Sequence, residues 1–217
     1  MKITLFTTNN IRHNYLIRLM STTCDTLYVV QETLELFDNI IPSHYQNSKL
    51  FKNYFEKVNE AQNKIFSDFT SIKNQNNIHY LKIPFGQLNE CSVEKNKKFF
   101  SSDIYIVFGS SYIKDKLLDF LIEKKAINIH MGVSPYYRGT DCNFWALFDG
   151  NPHLVGATIH LLSKGLDSGP IFYHAMSNLK TTPFEYSMSA VKSAFLSLLN
   201  KIKDRSFFEI KPINQEQ

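Results

Sequence analysis

The segment from Asn128 to Gly139 contains the side chains of this sequence that are best suited to chemistry. It begins Asn-Ile-His and directly follows a short apolar run. In an extended strand, residues two positions apart point to the same face, so Asn128 and His130 should project together from the end of a strand. An amide beside an imidazole provides hydrogen bonds for an oxygen on which negative charge develops. Taken alone, however, this short pattern is typical of two structural polar residues.

Two further features favour a functional interpretation. Pro135 and Gly139 enclose an aromatic, basic stretch that resembles a lid more than a simple connection. Farther along the chain, Asp167 lies in a turn with Gly165 and Gly169 close on either side. Glycines would let the backbone of this turn approach a flat ligand closely. An aspartate that reaches His130 would set its protonation state and relay a proton.

Together these stretches resemble the family of formyltransferases that use N10-formyltetrahydrofolate. The resemblance covers residues 104 to 174 and includes the Asn-x-His strand, the Ser-Pro-Tyr-Tyr-Arg-Gly loop and the Gly-Leu-Asp-Ser-Gly-Pro turn. It implies a tetrahydrofolate cofactor, no metal, and a catalytic trio of Asn128, His130 and Asp167. In the mechanism that it implies, Asn128 and protonated His130 stabilise the formyl oxygen while a substrate amine attacks. Asp167 keeps His130 charged and accepts the proton of the amine, directly or through water.

The resemblance also implies where the pterin of the cofactor binds. One set of contacts is expected on the loop after the strand at 104–108, and the other on the turn before Asp167. The residues are Phe108, Gly109, Ser110 and Tyr112 on the loop, and Lys164, Gly165 and Leu166 on the turn. For Ser110, a helix cap is an equal alternative.

Three acceptors of the formyl group are compatible with this resemblance. Methionyl-tRNA formyltransferases have an additional C-terminal domain, whereas only a short stretch follows Pro170 here, so no nucleic-acid partner is expected. Glycinamide ribonucleotide formyltransferases bind phosphate with a glycine-rich turn, whereas residues 7 to 14 contain no glycine and Met131 replaces the proline of that family. The sugar N-formyltransferases are most similar, which predicts a nucleotide-linked amino sugar as the partner.

Contacts with such an acceptor are expected from basic and aromatic residues on two loops. Cationic groups would bind a diphosphate and aromatic rings would stack on a sugar or a base. The predicted substrate-binding residues are Arg12, His13, Tyr136, Tyr137 and Arg138, with Trp145 as a further candidate. Alternatively, Tyr137 and Trp145 belong to the core and Arg138 pins its loop to a carboxylate. A hypothesis of another class is a non-catalytic folate- or nucleotide-binding module.

The order of strand and helix patterns predicts the scaffold that positions these residues. Strands alternate with helices, which is typical of an α/β fold with a mostly parallel sheet. We expect a Rossmann-like three-layer sandwich that forms a single catalytic domain over residues 1–217. A helical insertion is expected at about 43–72, and a short tail at about 203–217. The aromatic residues from Ser206 to Ile210 either cover the core or add a strand at the interface of a homodimer.

The composition excludes several other classes of protein. The chain has 217 residues, of which 43% are hydrophobic, so disorder is not expected. Its net charge of +4 fits an anionic small molecule. Cys24, Cys91 and Cys142 lie far apart and lack CxxC spacing, so they are uninformative about a metal site and are expected to be reduced thiols. Because no apolar run approaches the length of a membrane span, we expect a cytoplasmic protein without membrane contact.

Overall fold

The protein was analysed as a computed structural model that describes residues 1–34, 36–37, 41–42, 48–71, 75–180 and 182–215. In chain order the strands and helices are β1 (Lys2–Thr7), α1 (Ile11–Ser21), β2 (Thr26–Thr33), β3 (Leu36–Phe37), β4 (Ile41–Pro42), α2 (Lys49–Ile65), β5 (Ile78–Pro84), β6 (Ile104–Val107), α3 (Asp115–Glu123), β7 (Ile127–His130), α4 (Cys142–Phe148), β8 (Gly156–Leu161), β9 (Ile171–Met176) and α5 (Pro183–Lys203). Short 3-10 turns include Ser67–Ser71 and Ser206–Glu209.

The main sheet of the described residues has seven strands in the order β5-β2-β1-β6-β7-β8-β9. The first five of these strands are parallel, whereas β8 and β9 run antiparallel to their neighbours. Strands β3 and β4 form a separate antiparallel pair. The inner strands β1, β2 and β6 are buried on both faces because the sheet is covered on both sides.

Two hydrophobic cores cover the two faces of this sheet. On one face, Ile3 and Leu5 of β1 pack with α1 and α5. On the other face, Phe6 of the same strand packs with α3. This alternation along one strand produces helix, sheet and helix layers. The predicted three-layer α/β fold with a mostly parallel sheet is therefore confirmed.

The predicted helical insertion contains one long helix, α2, followed by the 3-10 turn Ser67–Ser71. Residues 43–47 and 72 of the predicted segment lie outside the described residues. Helix α2 packs along α5, where Lys64 pairs with Glu185 at 3.0 Å and the ring of Tyr54 contacts that of Phe184. Just after α2, Phe66 is buried in the core. The segment is thus a wall attached to the core of the fold.

The tail covers the core instead of extending the sheet through residues 206–210. Phe207 is buried and its ring centroid lies 4.6 Å from that of Phe172 on β9, whereas Phe208 is exposed. Farther on, Ile213 forms an antiparallel bridge with Ile171 at the start of β9. The predicted homodimer stays a prediction. No helix in the described ranges combines the length and the apolar character that a membrane crossing requires.

His13, predicted to contact substrate, is part of this scaffold. Its side chain is buried under the end of β1, where Nδ1 accepts a hydrogen bond from the Thr8 amide at 3.2 Å and contacts the Thr7 and Thr8 hydroxyl groups at 2.9 and 2.7 Å. Its ring also packs on Phe108. Burial, with the nearby Arg12 charge, lowers the pKa of His13 well below its usual value. His13 is therefore neutral and does not line the cavity described below, contrary to the expectation of a phosphate contact.

This burial predicts a pH dependence of stability. The unfolded chain binds a proton at His13 near pH 6.5, about the ordinary histidine value, while the folded chain does not. Acidification below that pH should therefore lower the free energy of unfolding, by at most about 1.4 kcal/mol per pH unit for this histidine. Chemical denaturation between pH 7 and 5 measures the slope. His13→Asn should be less stable at pH 7 but show a flatter slope, whereas the exposed control His153→Asn should keep it. Equal slopes in all three proteins would contradict this explanation.

Candidate active site

A cavity of about 1070 Å³ opens at the carboxyl ends of β1, β6 and β7. The chain connects β1 to β2 on one side and places β6 on the other, so the cavity lies where the strand order reverses. Open α/β sheets bind ligands at such a point. Its walls are the loops after β1 and β6, helix α2, the segment 139–144, the turn 162–167 and the first turn of α5. This volume lies at the upper end of the range usual for small-molecule sites.

The three predicted catalytic residues converge on this cavity. The amide of Asn128 donates to Oδ1 of Asp167 at 3.0 Å. Nδ1 of His130 lies 3.3 Å from Oδ2 of the same carboxylate. Asn128 and His130 both lie on β7, and Asp167 reaches them from the turn after β8. The structure therefore brings together side chains that are far apart in the sequence.

The ring of His130 is held from both sides. Its Nε2 donates to the backbone carbonyl of Tyr137 at 2.9 Å, while Nδ1 faces Asp167. Burial lowers the pKa of His130, and the charge of Asp167 and the Tyr137 carbonyl oppose this without cancelling it. At neutral pH the imidazole is therefore neutral. Gly132 makes this placement possible, because a Cβ there would approach Nε2 of His130 to 2.6 Å.

The carboxylate of Asp167 is mostly buried and accepts hydrogen bonds at both oxygens. Besides Asn128 at Oδ1, the backbone amide of Gly139 donates to Oδ2 at 3.0 Å. Burial alone would raise the pKa of Asp167, but contacts with His160, His130 and the Gly139 amide outweigh it and hold the pKa below its usual value. Asp167 is thus ionised at neutral pH. A backbone φ of 43° turns its side chain inward.

His160 of β8 completes this arrangement. Its Nδ1 donates to the Leu161 carbonyl at 2.8 Å, so Nε2 carries no proton and accepts from the Asn128 amide at 3.1 Å. No pattern in the sequence indicates this contact. His160 lies opposite Asn128 on the neighbouring strand. This pairing is defined by the register of β7 against β8, which the sequence alone does not show.

The hydrogen bonds made by the side-chain amide of Asn128 change the role expected for this residue. Both amide hydrogens of Asn128 are used, one by Asp167 and one by His160. Its Oδ1 is therefore the group that remains for a ligand among the described residues. The sequence-based mechanism expected the amide to donate to the formyl oxygen. The structure presents an acceptor instead, because two acceptors already surround the amide nitrogen.

All of the residues expected to contact the cofactor line the cavity. They are Phe108, Gly109, Ser110, Tyr112, Lys164, Gly165 and Leu166. Ser110 does not cap the next helix, since α3 begins only at Asp115. The loop is fixed from behind by the buried carboxylate of Glu32, which accepts from the amide of Ser111 at 2.6 Å and from its hydroxyl at 2.7 Å.

Of the residues expected to contact the acceptor, only Arg12 lines the cavity. Tyr136 is exposed outside it, and the Tyr137 hydroxyl donates to Asp149 at 3.1 Å. Arg138 donates to the side-chain oxygen of Gln215, through Nε at 3.0 Å and Nη2 at 2.7 Å. Arg138 thus pins its loop, although to an amide and not to a carboxylate. The geometry gives no support to acceptor contacts by Tyr136, Tyr137 or Arg138.

Helix α2 provides cavity residues that sequence reasoning missed. Gln62 accepts from Nη1 of Arg12 at 3.0 Å, and the Tyr54 hydroxyl donates to Asp141 at 3.3 Å. Both residues lie on the side of α2 that faces the cavity. The helical pattern was visible in the sequence. The identity of the inward face was not, because it depends on how α2 packs against α1 and α5.

The coupling between Asp167 and His130 can be tested by titration. The negative charge of Asp167 raises the pKa of His130, so Asp167→Asn should make the His130 ring titrate at lower pH than in the wild type. The measurement is the pH dependence of the histidine Cε1–H signal in NMR spectra. The control is Asp119→Asn, an exposed carboxylate on α3. The interpretation fails if the two variants titrate alike.

Comparisons with known proteins agree with this geometry. The family model described as "Formyl transferase" matches residues 84–198. A methionyl-tRNA formyltransferase of Malacoplasma penetrans is 25% identical over 158 residues, which cover 63% of this chain and 48% of that protein. One from Thermodesulfovibrio yellowstonii is 32% identical over 77 residues, 36% of this chain and 25% of that protein. The chain thus spans less than half the length of these curated relatives.

Solved structures show the same fold. A phosphoribosylglycinamide formyltransferase from Anaplasma phagocytophilum superposes with a TM-score of 0.62 at 14% identity, covering 97% of this chain and 89% of the other. A formyltransferase from Anoxybacillus kamchatkensis, solved with UDP-4,6-dideoxy-4-formamido-L-AltNAc and tetrahydrofolate, gives 0.53 at 17% identity, covering 100% and 82%. The family match includes β6, β7, β8 and the turn with Asp167, and this chain belongs to the formyl transferase family.

Proposed function

We propose that this protein transfers a formyl group from N10-formyltetrahydrofolate to the amine of a nucleotide-linked amino sugar, such as a 4-amino-4,6-dideoxyhexose, for the synthesis of surface polysaccharide. The observation that carries the reaction is the convergence of Asn128, His130 and Asp167 at one cavity. The observation that carries the acceptor is Arg12, whose partly buried guanidinium faces the same cavity.

The wall opposite α2 suits the folate. Its apolar surface comes from Ile113, Leu118 and Leu162, and backbone of the loop 108–112 and the turn 162–167 forms its edges. A flat pterin needs such apolar faces together with backbone donors and acceptors at the rim. When bound, the cofactor supplies the electrophilic formyl carbon. The residues Phe108, Gly109, Ser110, Tyr112, Lys164, Gly165 and Leu166 would hold it.

His130 and Asp167 together act as the base. At neutral pH His130 is neutral and Asp167 is ionised, and Nδ1 of His130 lies 3.3 Å from the carboxylate oxygen Oδ2. The pair would take up the proton released when the amine nitrogen bonds to the formyl carbon, and would return a proton to the folate nitrogen as its bond to that carbon breaks. The resulting imidazolium donates to both the Tyr137 carbonyl and Asp167. By taking up this proton, the pair neutralises the positive charge that develops on the attacking amine nitrogen.

Asn128 orients the acceptor amine in this mechanism. Its amide is occupied by Asp167 and His160, so its carbonyl oxygen accepts a hydrogen bond from the incoming amine. This contact fixes the direction of the nitrogen lone pair. Such positioning holds the amine nitrogen and the formyl carbon in one complex, so their reaction no longer depends on a chance encounter.

Arg12 indicates that the acceptor is an anion. It lies in the first turn of α1, where backbone amides without helical partners also favour negative charge. Gln62 satisfies Nη1, but Nε is buried and has no hydrogen-bond partner in the described part of the chain. A buried guanidinium with incomplete pairing is costly, so a bound phosphate would stabilise it.

Aromatic side chains beside Arg12 favour a nucleotide-linked sugar over a smaller phosphorylated amine. Phe51, Tyr54 and Phe144 line the cavity on the side of α2 and α4. Aromatic rings of this kind stack on a sugar or a base. The Anoxybacillus formyltransferase with this fold was solved with a formylated UDP-sugar, which makes such an acceptor a sensible first choice.

Incubation with N10-formyltetrahydrofolate and a panel of acceptors tests this proposal. Nucleotide-linked 4-amino-4,6-dideoxy and 3-amino sugars should be formylated, and His130→Ala should reduce turnover by about 100-fold or more. Glycinamide ribonucleotide and methionyl-tRNA are the competing acceptors, and mass spectrometry of the products distinguishes them. Formylation of either one alone would replace the sugar assignment. Folate binding without turnover on any amine would support the non-catalytic module instead.

Removal of the Arg12 charge tests the anion site separately. Arg12→Gln should raise KM for the accepted sugar nucleotide by about tenfold to about a hundredfold, the usual effect of losing a charge-assisted hydrogen bond. Binding of tetrahydrofolate, measured by calorimetry, should change little because Arg12 lies on the opposite wall. Lys52→Gln on the exposed side of α2 is the control. A KM for the acceptor equal to that of Lys52→Gln would show that Arg12 does not bind the acceptor.

A further inference from the structure

We infer that Gln215 is a positioning residue for the active site, because its side-chain amide ties the turn that carries Asp167 to the loop that carries Gly139. The role of Asp167 in this inference rests on the proposed function. The contacts of Gln215 do not. The tail therefore takes part in holding the reaction centre together.

The Gln215 amide is fully used by four hydrogen bonds. Its nitrogen donates to the backbone carbonyls of Asp167 at 2.9 Å and Gly169 at 2.7 Å. Its oxygen accepts from Nε and Nη2 of Arg138 at 3.0 and 2.7 Å. The opposite orientation of the amide would place its hydrogens against a guanidinium and its oxygen against two carbonyls. The donor and acceptor assignment is therefore fixed by the neighbours.

These bonds close a ring around the catalytic carboxylate. Arg138 immediately precedes Gly139, and the Gly139 amide donates to Oδ2 of Asp167 at 3.0 Å. Gln215 joins Arg138 to the backbone of Asp167. The carboxylate oxygen that faces His130 is thus held by one loop, and that loop is held to the Asp167 turn by the tail.

The tail has anchors of its own that set the place of Gln215. Ile213 and Ile171 exchange two backbone hydrogen bonds, of 2.7 and 2.8 Å. Earlier in the tail, Phe207 is buried against Phe172. Since the Ile213 side chain is exposed, the bridge at this position is made by backbone and not by packing. The backbone bridge at Ile213, two residues before Gln215, therefore holds Gln215 beside the Asp167 turn.

Loss of this clamp should affect chemistry more than binding. The distance between Asp167 and His130 depends on the relative position of the turn and the loop, and a small displacement weakens proton uptake. The titratable groups that face His130 are Asp167 and His160, and the Tyr137 carbonyl contacts its Nε2. Of these, only Asp167 and Tyr137 lie on segments that Gln215 holds. The cofactor wall at 108–112 and Arg12 are not in contact with the tail.

The test compares Gln215→Ala with Asn214→Ala, an exposed neighbour on the same tail. In Gln215→Ala, kcat should fall about tenfold while KM for the acceptor changes less than about twofold, and the His130 ring should titrate at lower pH in NMR spectra. Gln215→Glu keeps an acceptor for Arg138 but loses both donors, so it should show the same losses. Asn214→Ala should match the wild type in every measurement.

Two results would overturn the inference. One is a His130 titration and kcat in Gln215→Ala equal to those of Asn214→Ala. The other is a lower melting temperature of Gln215→Ala with unchanged titration and kcat, which would make the contact merely structural. Because the NMR titration needs no substrate, it tests the clamp even if the wild type formylates none of the acceptors. Failure of the proposed function is thereby distinguished from failure of this inference.

Discussion

A buried carboxylate must be surrounded by donors, and the Asp167 carboxylate imposes this requirement on several parts of the chain. The Asn128 amide comes from β7, and the Gly139 amide comes from the loop that follows it. The backbone of Asp167 is in turn held by the tail through Gln215. Each contact lowers the cost of burying the charge. The hydrogen bonds that this buried carboxylate requires therefore determine the position of the site as much as hydrophobic packing does.

Buried histidines make this arrangement possible. His13, His130 and His160 are all buried, and each has ring nitrogens in contact with hydrogen-bonding partners. The imidazole is useful here because one nitrogen donates while the other accepts. In His13 and His160 both functions are used for structure. In His130, Nδ1 lies 3.3 Å from a carboxylate oxygen of Asp167, which makes it able to gain a proton.

The cavity combines a centre built on strand ends with a wall built by helix α2. The centre is built on strand ends of a sheet whose inner strands are buried on both faces. The wall is built by α2, which presents Tyr54 and Gln62 toward Asp141 and Arg12. Reactive groups on strands keep their geometry, and added helices change what fits beside them. This division separates the residues at the strand ends from the side chains that shape the rest of the cavity.

The sequence by itself determined the layered α/β fold, since the alternation of apolar strands and amphipathic helices is a local signal. It also determined that Asn128 and His130 share a face, because that follows from strand geometry alone. Glycine and charge patterns marked the turn with Asp167, but the contact with His130 had to be taken from a family resemblance. The placement of Ser110, Arg12 and the folate wall in one cavity followed from the same source.

Only the tertiary structure decided the contacts between segments that are distant in the chain. The role of His160 depends on the register of β8 against β7, and the burial of His13 on the packing of α1 beneath the loop after β6. The orientation of the Asn128 amide depends on acceptors from two other segments. Gln215 has no local pattern at all, because its partners are the Asp167 turn and Arg138. Such hydrogen bonds form between residues that only the folded chain brings together. Helix and strand patterns, in contrast, depend on residues that are neighbours in the sequence.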